Sequence, residues 1–315
     1  MLEIKTVPPS TRIKESASML DREIKPAPVK EIKVAPAFVE NEDKISLKII
    51  PFIFMHIACL AVFLVGFSWP ALLLCLGLYA IRMFGLTAGF HRYFSHRSYK
   101  TSRFFQFILA LLGTMAVQKG PLWWAAHHRR HHKYTDQKGD IHSPVTDGFW
   151  WSHVGWVIST KYDPTDWNAI KDFSRFPELR WLNKWHIVPG VVLAVLCFFG
   201  GVYFGESGWQ WLVWGFFIST VILYHGTFTV NSLAHMWGSR RYETTDDSRN
   251  NFWIALWTGG EGWHNNHHHY MASVRQGFYW WEIDFSYYAL RIMSWFRLVW
   301  DLRLPPKHLL SEGGS

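Results

Sequence analysis

Four long apolar segments constrain this chain more than any other feature of its sequence. They cover residues 49–67, 70–90, 187–204 and 209–230. Each segment is close to the roughly 20 residues that an α-helix needs to cross the hydrocarbon core of a bilayer. The connectors 68–69 and 205–208 are so short that each pair of segments must form a helical hairpin. The alternative, buried helices of a water-soluble core, fits the length and low charge of these segments less well.

Basic residues predict the orientation of the hairpins. None of the 32 Lys and Arg residues lies in the two connectors, and many lie beside the opposite ends of the apolar segments. The positive-inside rule therefore places both hairpin tips outside and the N-terminal tail, the loop 91–186 and the C-terminal region in the cytoplasm. A fifth apolar run, 104–117, is too short to span and should be interfacial or buried. We expect an all-α integral membrane protein of the bacterial inner membrane or endoplasmic reticulum. It has four transmembrane helices in two hairpins, a cytoplasmic helical cap and both termini in the cytoplasm.

The two ends of the chain differ from its centre. Residues 1–46 combine prolines with many charges of both signs and have no aromatic residue before Phe38, which predicts a disordered tail. The tail lacks the apolar stretch of a signal peptide and is too acidic for a transit peptide. We expect one membrane domain over residues 47–310 and a flexible C-terminus over residues 311–315.

Net charge and aromatic content indicate which kinds of partner the chain binds. The chain carries a formal charge of +8 and 20 tryptophans, a combination that suits anionic lipid headgroups at a membrane interface. No nucleic-acid-binding motif accompanies the charge, so we expect membrane lipid and no nucleic acid as a partner. The three cysteines lie in apolar runs without CxxC spacing, which argues against disulfides and against a zinc ribbon.

Histidines cluster in four blocks near the ends of the apolar segments. The blocks HRYFSH, HRRHH, NSLAH and HNNHH contain His91, His96, His128, His131, His132, His235, His264, His267 and His268. On a helix, spacings of three and four place side chains on one face, so HRRHH and HNNHH each present a histidine triad. The spacing of five in HRYFSH predicts that its two histidines straddle the junction between a helix and the following turn. All four blocks lie on the predicted cytoplasmic side, where they can converge on one site.

The number of histidines indicates two metal ions, because one ion cannot use nine imidazoles. Neutral imidazole suits zinc, iron, copper and nickel. Structural zinc favours thiolates in a closed site, and no cysteine lies near these blocks. A non-heme iron pair with positions open to oxygen fits better. A lone histidine would more simply be a surface or buried structural residue, but that alternative does not explain blocks that recur at one membrane face.

These blocks and their flanks resemble the membrane fatty acyl desaturases, and most of all the stearoyl-CoA or acyl-lipid type that acts at carbon 9. The segments GLTAGFHRYFSHRSYK, DIHSPVTDGFWWSHVGW and GGEGWHNNHHHY carry the likeness, which extends over roughly residues 48–300. The resemblance implies that the nine histidines bind two iron ions, which cycle between Fe²⁺ and Fe³⁺. It further implies that Asn231 reaches one iron through water, and that no catalytic residue exists apart from the metal ligands.

The same resemblance suggests which residues support the ligands. A ligating histidine needs a hydrogen-bond partner on its other ring nitrogen. The expected supporting residues are Asp140, His142 and Glu261, with His153 a structural candidate and Asp136 equally explained as a solvated loop carboxylate. His127 and His269 neighbour ligands in sequence but point about 100° away on a helix, so neither should bind metal.

Three positions are expected to contact the substrate. By resemblance, Gln118 lies beside the acyl chain, near its carbonyl or its bend, Phe228 replaces a tryptophan of the acyl-CoA enzymes, and Lys161 lies where those enzymes meet the CoA phosphates. His127 stands where those enzymes carry part of an Arg-Asp pair, which weakens the assignment of CoA. The acyl carrier therefore stays open between CoA, a membrane lipid and acyl carrier protein.

The chemistry follows from the inertness of a methylene group. Such a group offers no acidic proton, so breaking its C–H bond requires a redox metal with O₂ as co-substrate. The expected reaction introduces a cis double bond into a saturated acyl chain. The sequence contains no heme domain, dinucleotide fingerprint or Cys₄ pattern, so a separate ferredoxin or cytochrome b5 should donate the electrons. A related di-iron hydroxylase is the alternative enzyme, and a metal transporter or heme protein is the alternative outside enzymes.

Overall fold

Helices form nearly all of the regular structure in the computed structural model, which describes residue 47 and residues 49–312. In chain order the α-helices are α1 (Ile49–Cys59), α2 (Val62–Val65), α3 (Trp69–Phe84), α4 (Arg103–Thr114), α5 (Pro121–Tyr134), α6 (Pro144–Asp147), α7 (Trp156–Ile158), α8 (Lys171–Ser174), α9 (Pro177–Lys184), α10 (Val188–Tyr203), α11 (Gly208–Leu212), α12 (Ser219–Asn231), α13 (Phe252–Trp257), α14 (His264–His269), α15 (Phe285–Trp295) and α16 (Lys307–Glu312). Three further segments are π-helical, Gly85–Ser95, Trp151–Gly155 and Val213–Ile218, and Leu233–His235 is a 3₁₀-helix.

Strands are confined to one short pair in the described residues. Strand β1 (Lys100–Thr101) runs antiparallel to β2 (Val299–Trp300), with Lys100 opposite Trp300 and Thr101 opposite Val299. The predicted disordered tail, residues 1–46, and residues 313–315 of the predicted flexible C-terminus lie outside the described residues, while residues 311 and 312 end helix α16. The mostly helical architecture confirms the predicted fold class at that level.

The described chain contains two or three candidate membrane spans. Trp69–Ser95 and Gly208–His235 are each long and apolar enough to cross a bilayer, because a π segment extends α3 in the first and links α11 to α12 in the second. The pair α9–α10 is a third candidate, but it bends by 70°. The first predicted span forms the shorter helical stretch Ile49–Val65, in which residues 60–61 separate α1 from α2. Four crossings in two hairpins therefore stay a prediction.

A serine caps the helix that follows each of the two short connectors. Ser68 accepts a hydrogen bond from the Ala71 N–H at the start of α3, and Ser207 accepts one from the Gln210 N–H at the start of α11. Side-chain oxygens at this position satisfy amides that have no partner inside the helix. The Gln210 side chain then accepts from the Ser68 hydroxyl at 2.7 Å and donates to the Val65 carbonyl at 2.9 Å. These bonds hold the two connectors side by side.

Close backbone packing positions the first histidine block. A Cβ added to Gly113 of α4 would lie 2.6 Å from Cδ1 of the Phe90 ring and 2.9 Å from the Gly85 carbonyl oxygen. Helix α4 can therefore approach the π segment Gly85–Ser95 only because Gly113 has no side chain. Phe90, Leu109 and other buried apolar side chains fill the core on either side of this contact. The packing holds the π segment, and His91 within it, against the rest of the fold.

Candidate metal centre

The nine predicted ligand histidines lie together in two groups. Within each group, one nitrogen of every member lies within 4.8 Å of one nitrogen of all the others. The five-histidine group consists of His91, His96, His128, His132 and His267. The four-histidine group consists of His131, His235, His264 and His268. Every block contributes to this arrangement, although the blocks lie far apart in sequence.

Helices α5 and α14 divide their histidines between the two groups. In α5, His128 and His132 belong to the five-histidine group, while His131 belongs to the four-histidine group. Because successive helical residues are rotated by 100°, adjacent histidines point in different directions and can serve neighbouring ions. Helix α14 makes the same division between His267 and His268. Each of the two helices therefore contributes ligand candidates to both histidine groups, which keeps the two groups close together.

A π-helix explains the spacing of five in the first block. His91 lies within the π segment Gly85–Ser95, and the His96 N–H donates to the His91 carbonyl at 3.2 Å just beyond it. In a π-helix residues five apart bond to each other, so both side chains reach the same group. The spacing predicted that these histidines lie at a helix junction, and the π geometry supplies the physical reason why they share one group.

The distances between ring nitrogens fit metal ligation. The Nε2 atoms are 3.0 Å apart in His91 and His267, 2.9 Å apart in His96 and His128, and 3.0 Å apart in His235 and His264. Two imidazole nitrogens bound to one ion at about 2.0–2.1 Å each lie roughly 2.9–3.4 Å apart, depending on the bond angle. The Nε2 atoms of His131 and His268 are also buried and have no hydrogen-bond partner among the described residues. A bound cation would give these nitrogens a partner.

Burial keeps most of these imidazoles in the form that binds metal. It lowers the pKa of His264 and His267 well below the usual value for histidine, with the neighbouring histidines adding to the effect. A neutral imidazole has a free lone pair for a cation. His131 differs, because the charge and hydrogen bond of Asp140, together with the charges of Asp136 and Asp246, outweigh burial and raise its pKa. Nine imidazoles without thiolate form a donor set that suits iron or zinc.

Four carboxylates hold the far ring nitrogens of ligand candidates. The Nδ1 contacts are His131 with Asp140 and His235 with Asp136, both at 2.9 Å, His268 with Asp246 at 3.0 Å, and a short contact of His91 with Glu261. Burial alone would raise the pKa of Asp136, but its bond to His235 lowers the pKa to about 2. Burial would likewise raise the pKa of Glu261, yet His91 and Arg92 lower it to about 2. These carboxylates therefore stay ionised and fix the orientation of the rings.

Two of these carboxylates occupy the supporting positions that the sequence suggested. Asp140 and Glu261 were expected beside ligands, and Asp136 was an open alternative that the structure places against His235 rather than in solvent. Asp246 was missed, because the polar loop TTDDSRN has no spacing that separates a buried carboxylate from an exposed one. Gln276 was also missed, and its amide donates to Glu261 at 2.9 Å.

His142 and His153 take different positions. The His142 ring lies 4.3 Å from the ring of His131, and with Asp140 these two residues form a third potential ligand group that overlaps the four-histidine group. The Nδ1 of His131 already donates to Asp140, so only Nε2 remains available for metal. His153 instead contacts the Ser232 hydroxyl at 2.9 Å and His225 at 3.0 Å. It belongs to neither ligand group.

The two histidines that were expected not to bind metal also lie outside both groups. The Nδ1 of His127 donates to the Trp123 carbonyl at 2.8 Å, and its ring stacks on the Trp123 indole at 4.3 Å. The His269 ring stacks on Tyr242, with ring centres 4.3 Å apart. Both arrangements direct the imidazole away from the ligand candidates next to it in sequence.

Asn231 lies at the C-terminal end of α12, four residues before His235. Its backbone carbonyl accepts a hydrogen bond from the Ser152 hydroxyl at 2.8 Å, and the residue lines the cavity beside the histidines. This position suits the predicted link through water to one iron. The link itself stays a prediction.

An apolar cavity of about 600 Å³ leads to the histidines. Phe54, Val195 and Phe217 line its apolar part, and His128 and His264 line the part at the candidate metal centre. The predicted substrate residues Gln118 and Phe228 also line the cavity, and the Gln118 amide donates to the Thr227 hydroxyl at 2.7 Å. The third predicted substrate residue, Lys161, is not among the lining residues and lies over the Tyr162 ring at 5.1 Å.

Two histidine groups that could each hold a metal ion, beside an apolar cavity, are typical of an enzyme that acts on an apolar substrate. Comparison with known proteins agrees. The profile of the fatty acid desaturase family matches residues 67–294. The chain therefore belongs to the fatty acid desaturase family and is an oxidoreductase of the desaturase type, which confirms the resemblance seen in the sequence.

This chain is similar to individual members of the family over most of their length. The chain is 38% identical over 257 residues to Delta-9 acyl-lipid desaturase 1 of Arabidopsis thaliana, covering 80% of this chain and 81% of that protein. It is 38% identical over 259 residues to the sn-1 stearoyl-lipid 9-desaturase of Anabaena variabilis, covering 81% and 93%. It is also 37% identical over 255 residues to the Acyl-CoA C20 Delta5-desaturase of Anemone leveillei, covering 80% and 79%.

Proposed function

We propose that this protein introduces a cis double bond at carbon 9 of a saturated fatty acyl chain, using O₂, two iron ions and electrons from a separate protein. The cavity carries this proposal, because a single space joins an apolar wall to the candidate metal centre. An apolar wall binds an alkyl chain, and ligands at one end of the cavity bring a defined pair of carbons to the oxidant.

The reaction balances with one O₂ for each double bond. A –CH₂–CH₂– unit, O₂, two electrons and two protons give –CH=CH– and two molecules of water. The bound irons would supply, with O₂, the oxidising strength that an unactivated C–H bond requires. The nine histidines would hold them, five in one group and four in the other, with Asn231 acting through water.

The chain's own residues position the substrate. Gln118 and Thr227 form a polar contact in an otherwise largely apolar wall, and Phe228 lies next to this contact. We propose that these side chains fix the bend of the acyl chain that presents carbon 9 to the metals. An enzyme that attacks one position on a uniform chain needs such a fixed reference point.

The relatives support position 9 but leave the acyl carrier open. Two of the three named relatives are 9-desaturases that act on lipid-bound chains, and the third is an acyl-CoA Delta5-desaturase. Assays with purified protein should therefore compare stearoyl-CoA, a stearoyl lipid and stearoyl acyl carrier protein. Lys161 would contact a phosphate of the carrier, and Lys161→Ala should raise KM for that carrier more than it lowers kcat.

We also propose four transmembrane helices with both termini and the metal centre in the cytoplasm. Exposed basic residues support a cytoplasmic electron donor, because Arg97 follows His96 and Lys133 follows His132 directly in sequence. A ferredoxin or cytochrome b5 with an acidic surface would be attracted to this face. The transfer distance to the five-histidine group would then be short.

Expression in a desaturase-deficient cell tests the proposed function. Fatty-acid profiling by gas chromatography should show a new cis-9 unsaturated chain, and His264→Ala, which removes one ligand, should abolish it. An alcohol in place of an alkene would identify the related hydroxylase. A Soret band in the purified protein would indicate a heme protein, and metal uptake without a lipid product would indicate a transporter.

A further inference from the structure

The two histidine groups differ in how their far ring nitrogens are held. In the four-histidine group, the Nδ1 atoms of three members donate to carboxylates, in the pairs His131–Asp140, His235–Asp136 and His268–Asp246. In the five-histidine group, only His91 has a carboxylate partner among the described residues, and that partner is Glu261. Glu261 also accepts two hydrogen bonds from the Arg92 guanidinium, at 2.9 and 3.1 Å, which offset its negative charge.

The two groups also differ in burial, and the four-histidine group, which has more carboxylate partners, is also the more buried one. All four members of the four-histidine group are buried. In the five-histidine group His91 and His267 are buried, while His96, His128 and His132 are partly exposed. The five-histidine group is thus the one closer to solvent, and this observation does not depend on the count of carboxylates.

Charge and access both affect how firmly an ion is held. A carboxylate bonded to the far nitrogen makes an imidazole a stronger ligand, and loss of one such partner typically costs about 10- to 100-fold in metal affinity. A buried divalent cation also needs nearby negative charge, because the protein interior replaces water poorly as a solvent for ions. Among the described residues the four-histidine group has two more carboxylate partners than the five-histidine group, which corresponds to a metal affinity that is roughly 10²- to 10⁴-fold higher.

We propose that the two metal positions are unequal, with the four-histidine group retaining its ion and the five-histidine group exchanging it. This inference rests on the proposed function, because it assumes the metal pair. A fifth imidazole acts in the opposite direction, but it adds a neutral donor and no charge. The four-histidine group has three carboxylate partners, whereas in the described part of the chain the five-histidine group has one, which is shared with Arg92. This difference in negative charge sets the order of the two metal affinities. The lower burial of the five-histidine group also gives water and chelators access to it.

Asp246 is the positioning residue on which this asymmetry can be tested. Its carboxylate bonds to His268 Nδ1 at 3.0 Å and accepts the Ser248 N–H at 3.0 Å. Asp247 is a matched control, because its side chain is partly exposed and contacts only Arg240, at 3.5 Å, among the described residues. Asp246→Asn keeps the size of the side chain and removes the negative charge, and Asp247→Asn makes the same change one residue further along.

Chelator-dependent metal loss measures the asymmetry without an activity assay. Purified protein is loaded anaerobically with Fe²⁺, incubated with a chelator of graded strength, and analysed for bound metal. The wild-type chain should lose one equivalent early and the second only at about 10²-fold or higher chelator strength. Asp246→Asn should weaken retention of the second equivalent about 10- to 100-fold and leave the first unchanged. Asp247→Asn should match the wild type.

A ligand variant assigns the two equivalents to the two groups. His96→Ala should remove the early equivalent and preserve the retained one, because His96 belongs to the five-histidine group. Simultaneous loss of both equivalents in the wild type, or loss of the retained equivalent in His96→Ala, would overturn the proposal. If the wild-type chain takes up no metal at all, the proposed function fails instead, so the two failures can be told apart.

Discussion

Replacing Gly113 with alanine should disturb the metal centre through packing alone. The new Cβ would lie 2.6 Å from Cδ1 of the Phe90 ring and 2.9 Å from the Gly85 carbonyl oxygen, both on the π segment that carries His91. Phe90 is fully buried, so its ring cannot move aside into open space. Helix α4 and the π segment must therefore separate by several tenths of an ångström.

The expected magnitude follows from the cost of overpacking. An extra methyl group in a well-packed core destabilises by about 1–3 kcal/mol, which corresponds to a fall in apparent melting temperature of roughly 2–12 °C. Gly77→Ala is the control, because a Cβ there meets no atom within 4 Å and alanine favours the helix. Its melting temperature in detergent should equal or exceed that of the wild type.

Thermal unfolding and bound iron are the two measurements. Gly113→Ala should melt below both the wild type and Gly77→Ala, and it should retain less iron because the π segment positions His91. A melting temperature for Gly113→Ala equal to that of Gly77→Ala would refute the reasoning. It would mean that the interface relaxes without cost.

Three further predictions address the metal ligands, pH and topology. His128→Ala should abolish desaturation and lower iron content, whereas His127→Ala should keep its iron and much of its activity, because His127 stacks on tryptophan outside both groups. Equal loss in iron assays of both variants would contradict the ligand assignment. The folded-state pKa of Glu261, about 2, lies below its ordinary value of 4.5, so its contribution to stability is present above about pH 4.5 and lost as the pH falls toward 2. Melting curves of metal-free wild type and Glu261→Gln should therefore converge on acidification, and a constant difference would argue against this. Cysteine labelling should place Glu206 and Lys30 on opposite sides of the membrane, and labelling of both from one side would reject the four-span topology.

Residue types and local spacing were enough to predict that the histidines gather into groups that could hold metal. Histidines three and four residues apart on a helix lie on one face, so HRRHH and HNNHH indicate a metal centre from the sequence alone. In the structure only the pairs four apart share a group, because His128 and His131 belong to different groups, as do His264 and His267. The same rotation of 100° per residue excluded His127 and His269, and the structure places both away from the ligand groups. The helical class and the family could likewise be read from apolar segments and motifs, because both depend on nearby residues in the chain.

The division of the nine histidines into five and four needed the tertiary structure. Adjacent histidines in α5 serve different groups, and which group each one joins depends on how α5 and α14 lie beside the π segment. The π-helix itself was not predicted, since its spacing of five also fits a helix that ends in a turn. The structure shows that the π geometry runs from Gly85 to Ser95, with α4 packed against its first half at Gly113.

The carboxylates that contact the ligand candidates show most clearly what could not be predicted from the sequence. Asp246 and Asp247 are identical in type and adjacent in sequence, yet one is bonded to His268 and the other is partly exposed beside Arg240. No local pattern separates them, because the partner of Asp246 lies 22 residues further along the chain. The sequence by itself determined which metal chemistry is available. Tertiary structure alone decided which nitrogens face a carboxylate, because that depends on loops brought together from distant parts of the chain.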